Sequence, residues 1–186
     1  MTRTRSAFLL ATLMTCSSAF AQQAADAMER LAPYEGTYTL DGFAQIEEGT
    51  FDGTLTVAPI LNGHFQQWDW TLTMRGESIE EDVYLRFVVS HDAATGSYAV
   101  HRFDSRDADS PTRAASITDP HRGTLSFDGD ALVMSWPSSN PNNPAQTGHL
   151  RNTVRLDADG FTVTTDAKPD DGSPRVAIAT TNASRR

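Results

Sequence analysis

The chain has almost no cysteine and almost no lysine. Among 186 residues, Cys16 is the sole cysteine and Lys168 the sole lysine. A lone thiol inside the first segment excludes internal disulfides, thiolate metal centres and a cysteine nucleophile from the rest of the chain. Basic residues are also scarce, with 15 Lys and Arg against 24 Asp and Glu and a formal charge of −9. Phosphate backbones are repelled by such a surface, so no nucleic-acid partner is expected. Beyond the first 21 residues no apolar run approaches the ~20 residues of a membrane-spanning helix. Catalytic signatures are missing too. There is no Gly-x-Ser-x-Gly elbow, no phosphate-cradling glycine loop and no His-Glu-x-x-His. The five histidines (His64, His91, His101, His121, His149) are scattered, with no pair at i, i+2 or i, i+4. Asp157-Ala158-Asp159-Gly160 lacks the later ligands of a calcium loop. Neither a metal nor a cofactor is expected, and no catalytic residue can be named.

What is present begins with an export signature. Arg3 and Arg5 precede the apolar run Ala7 to Met14, and Ala19-Phe20-Ala21 has the small-x-small pattern cut by signal peptidase. We expect residues 1–21 to be a signal peptide and 22–186 to be one domain, periplasmic or secreted. The alternative is a lipoprotein anchored at Cys16 after Leu13-Met14-Thr15, although Thr15 is a poor residue before such a cysteine. Removing 21 of 186 residues leaves 165, enough to bury a core without disulfides. Loss of the two arginines takes the charge from −9 to −11.

Residues Gln22 to Leu31 favour a short helix ended by Pro33, a lead-in or a plug for one end of the fold. After it the period becomes two. From His64 to Met74 one parity carries Trp68, Trp70, Leu72 and Met74, while the other carries Gln67, Asp69, Thr71 and Thr73. Asn62-Gly63 opens this strand as a turn. Similar runs recur at Gly36–Leu40, Phe51–Val57, Asp82–Ser90, Ser97–Asp104, Arg113–Thr118, Arg122–Phe127, Ala131–Trp136, His149–Leu156, Phe161–Thr165 and Arg175–Thr181. Asp41-Gly42 reads as a turn, and Pro137 to Gly148, rich in Pro and Asn, as the longest loop. About ten short strands without crossover helices predict an all-β, single antiparallel up-and-down barrel with a short N-terminal helix. A lipid-embedded barrel needs an outward apolar band on every strand, and Asp69, Arg102, Arg151 and Arg155 interrupt such bands.

A barrel of this size can hold one small ligand. The candidate lining residues are Trp68, Trp70, Phe87, Arg102 and Trp136; the equal alternative is that the four aromatic residues simply fill a small core. The strand arginines Arg86, Arg102, Arg151 and Arg155 are expected to face water; if one points inward, Arg102 is the first candidate, because it shares a parity with Tyr98 and Val100. An inward arginine needs a partner charge or a ligand oxygen. The expected function is non-catalytic binding of a small apolar or amphipathic ligand. The alternatives are a hydrolase or isomerase using polar groups such as His101 and Arg102, and an envelope interaction module acting through Pro137 to Gly148.

Leu31 to Tyr38 (LAPYEGTY), Leu61-Asn62-Gly63-His64-Phe65 and His91 to Tyr98, followed by Phe103-Asp104-Ser105, together resemble a bacterial family of exported domains of unknown function. That family is similar to the calycin superfamily of lipocalin-like barrels. The resemblance implies the barrel and leaves function open, since such folds host binders and enzymes alike. His91 stands where the family often has tyrosine, and Arg102 where it often has tryptophan. The haem-binding nitrobindins look like relatives, but their Gly-x-Trp-x-Gly-x-Gly motif is absent, and the resemblance implies no haem.

Overall fold

A computed structural model describes residues 22–45, 48–76, 80–105, 121–140 and 143–186. The expected signal segment with Cys16, the expected strand Arg113–Thr118 and most of the loop before it lie outside these residues. The ten described strands are β1 (Gly36–Ala44), β2 (Gly49–Ile60), β3 (Phe65–Arg75), β4 (Glu80–Asp92), β5 (Ser97–Asp104), β6 (His121–Asp128), β7 (Ala131–Asn140), β8 (Asn143–Leu156), β9 (Gly160–Pro169) and β10 (Val176–Arg185). Each pairs antiparallel with its neighbours in sequence, and β10 returns to pair with β1, closing an up-and-down barrel.

Alternation decides which face each residue takes. On β3, Trp68, Trp70 and Leu72 are buried while Asp69 and Thr71 face outward. Val83, Phe87 and Val89 do the same on β4, as do Leu55 and Val57 on β2. The outer face carries cross-strand polar pairs instead, such as Asp69 with Arg86, whose Nε lies 2.6 Å from the carboxylate. Apolar inside and charged outside is the reverse of a lipid-spanning barrel. No described helix is long and apolar enough to cross a membrane.

The turn between β2 and β3 is where Asn62-Gly63 was expected. Leu61, Asn62 and Gly63 all have positive φ (50°, 59° and 82°), a conformation that glycine and asparagine accept most readily. Two expectations about turns are corrected. Asp41-Gly42 is not a turn, because β1 runs through it to Ala44. Gly42 serves packing there: the Phe51 ring on β2 lies over it, and any Cβ would collide with that ring. Pro137 to Gly148 is not a long loop. Residues 137–140 continue β7 and 143–148 begin β8, with Pro137 exposed and opposite His149.

Residues 22–29 form helix α1, followed by a 3-10 turn over Ala32–Tyr34. Pro33 sits at the start of that turn, where its missing N–H costs nothing. This N-terminal segment stoppers one end of the barrel. Met28, Leu31 and Tyr34 are buried against Trp68, Tyr38 and Phe161, with the Tyr34 and Trp68 ring centres 5.7 Å apart. At the opposite end β1 connects to β2, β3 to β4, β5 to β6, β7 to β8 and β9 to β10.

Candidate functional site

The interior divides into two halves with different chemistry. In the stoppered half the polar groups that meet the plug have partners, while the buried Nδ1 of His91 has none among the described residues. Gln66, buried on the tryptophan face of β3, donates through Nε2 to the Leu31 carbonyl at 2.9 Å. Its Oε1 accepts the Trp68 indole N–H at 2.8 Å. Tyr98 donates to the Ala27 carbonyl at 2.7 Å, and Tyr38 to the Tyr34 carbonyl at 2.8 Å. Arg30 lies 4.0 Å over the Phe127 ring, a cation–π contact on the plug's flank. Burial raises the Tyr34 phenol above its ordinary pKa, with nearby Asp130 adding to the rise. Burial likewise raises Tyr98, against a smaller opposing pull from Arg30.

The other half contains a chain of aromatic rings. Trp70 meets Phe87 edge to face at 6.4 Å, and Phe87 meets Trp136 at 5.5 Å. Arg102 extends the chain, its guanidinium carbon 5.7 Å from the Trp136 ring. Trp70 and Trp136 are 7% and 4% exposed, yet neither indole N–H has an acceptor among the described residues. Arg102 points inward and makes a close ion pair with Asp104, two residues along the same face; their side chains are 12% and 2% exposed. Further along the wall, Asn152 accepts a hydrogen bond from Thr165 at 2.8 Å.

Four of the five sequence-derived residues are therefore brought together: Trp70, Phe87, Arg102 and Trp136. Trp68 is not among them in role. It stands opposite Phe87 in register, but its indole is committed to Gln66 and its ring to the plug and Phe161. The remaining strand arginines face out: Arg86 onto Asp69, Arg151 onto Asp166 at 2.7 Å, and Arg155 into solvent. His101 and Arg102 cannot act as an inward pair, because adjacent strand residues take opposite faces and His101 takes the outer one. His64 and His149 are exposed, and the side chain of His121 lies outside the described residues. His91 packs edge-on against Tyr98 at 4.9 Å. Among the described residues no three His, Cys, Asp or Glu side chains gather in a metal-ligating group.

Sequence reasoning missed Gln66, Asp104, Asn152 and Thr165. Gln66 and Asp104 were reachable, since each shares a parity with residues already placed inside. Two hollows among the described residues lie on the outer surface. One of about 710 Å³ runs between Tyr34, Phe127 and Leu156, and one of about 480 Å³ lies over Gly42 and Phe51.

No family model and no curated protein matches the chain. Among solved structures, the M. tuberculosis protein Rv2717c superposes with a TM-score of 0.53 at 13% identity, over 86% of this chain and 97% of that one. That likeness is one of fold. A de novo designed fluorescence-activating β-barrel aligns over 84% of this chain and 98% of its own at 13% identity, with a TM-score of 0.40.

Proposed function

We propose that the chain is an exported, lipocalin-like barrel that binds a small apolar or amphipathic molecule in the half of its interior away from the plug. One observation carries this reading: Trp70, Phe87 and Trp136 form a continuous aromatic wall ending at the inward Arg102–Asp104 pair. Apolar walls with a few placed polar groups are the usual make-up of small-molecule sites. The plug supports it as well, by closing one end and assigning Trp68 to structure. The polar groups on this wall are an ion pair, two indoles and the Asn152–Thr165 pair, a set suited to holding a molecule. The calycin resemblance and the export signature in residues 1–21 fit a carrier or scavenger outside the cytoplasm.

Native mass spectrometry of protein purified from its source cells tests the proposal. The expected spectrum shows a noncovalent small-molecule adduct that is lost on denaturation. A ligand-free spectrum, together with tryptophan fluorescence that no added amphiphile changes, rejects it.

A further inference from the structure

The three tryptophans sort by the partner of one atom. Trp68 Nε1 donates to Gln66, and that glutamine is itself held by the Leu31 carbonyl. Trp70 Nε1 and Trp136 Nε1 are also buried and have no acceptor among the described residues. An indole N–H can only donate, and buried donors are nearly always paired in native proteins. Whatever completes these two must therefore bring acceptors. The same wall limits the charge of the newcomer. Arg102 would attract an anion, but the Asp104 carboxylate already lies against it on the same face. A carboxylate or phosphate entering here would have to displace Asp104 from the guanidinium or lie against its carboxylate, which costs heavily. A neutral oxygen acceptor meets both conditions. The Trp70, Phe87 and Trp136 rings then cover the apolar body attached to it.

We infer that the ligand is an uncharged apolar molecule bearing a carbonyl-type oxygen, such as a ketone, ester or quinone, received by the Trp70 or Trp136 indole N–H. The inference rests on the binding reading above and narrows it to one chemical class. It also assigns the two indoles as specificity-determining donors.

Three probes of matched chain length separate the outcomes: methyl nonyl ketone, undecane and undecanoate, titrated into the full mature chain. Affinity is read from tryptophan fluorescence. The three indole N–H cross-peaks are followed in proton–nitrogen correlation spectra and assigned with W68F, W70F and W136F. The ketone is expected to bind at least about tenfold more tightly than either other probe, the scale of one buried hydrogen bond. It should shift the Trp70 or Trp136 peak while leaving that of Trp68 in place. Equal binding of undecane, or tightest binding by undecanoate, overturns the inference and leaves the binding reading standing. Binding of none of the three overturns both and assigns the two N–H groups to buried water.

Discussion

Gln66 shows how one polar residue can organise a hydrophobic interior. It is 1% exposed and bridges Trp68 on its own strand to Leu31 in the plug. Gln66→Leu removes both bonds and leaves the buried Trp68 indole N–H unmatched, while the Leu31 carbonyl keeps the Tyr34 N–H at 3.1 Å. We expect a loss of about 1–3 kcal/mol in denaturant unfolding, the cost of one orphaned buried group. The tryptophans give a matched comparison. Trp68→Phe strands Gln66 Oε1, whereas Trp136→Phe removes a donor that has no acceptor, so the first should destabilise more than the second by roughly 1 kcal/mol. Equal effects would show that the Gln66 bond contributes nothing. Arg102 and Asp104 follow the same logic with charges: Asp104→Asn breaks a buried ion pair from one side and should cost about 3–5 kcal/mol, whereas replacing both by Met and Leu should cost far less.

At the scale of elements, the plug is held by hydrogen bonds from the barrel wall to backbone carbonyls. Tyr98 is the bond most open to titration. Its folded pKa lies above the ordinary phenol value because burial opposes the phenolate. A raised folded pKa contributes stability that is complete below the unfolded pKa and is lost as pH climbs through the folded value. The plug should therefore be fully seated at neutral pH and loosen above about pH 10. Hydrogen exchange of residues 22–34 should rise there, and Tyr98→Phe should show the faster exchange already at neutral pH. Strand faces were legible in part because parity is a local property: counting in twos set Trp70 on one face with Trp68 and Phe87 on one with Val83 and Val89. It did not say which face is inner, and Arg102 was expected in water with the other strand arginines. Height along the barrel was not legible. Nothing in the spacing of Trp68 and Trp70 says that one meets the plug and the other a free aromatic wall. Asp41-Gly42 misled for a related reason, since a glycine needed beneath the Phe51 ring is spelled the same way as a glycine needed for a turn. Gly42→Ala should cost about 1–3 kcal/mol as overpacking against that ring, without shortening β1.

For the whole molecule, the decisive contact is the seam between β1 and β10. Nine of the ten strand pairings join neighbours in the chain, and this one joins its first strand to its last. Leu40 pairs with Ala183 and Tyr38 with Arg185, whose side chain also donates to the Pro33 carbonyl at 3.1 Å. Deleting residues 182–186 removes most of that register, exposing the edges of β1 and β9. The expected result is loss of a single cooperative unfolding transition and growth of large species in light scattering, as unpaired strand edges recruit one another.

That closure also dictates when the molecule can exist. A polypeptide emerging from a ribosome or a translocation channel can assemble its hairpins one after another, but its first ribbon waits with one flank bare until the tenth arrives. Nascent chains are thus sticky for as long as synthesis or passage lasts, and any holding factor they meet has its target already defined: the unmated rim of the opening strand.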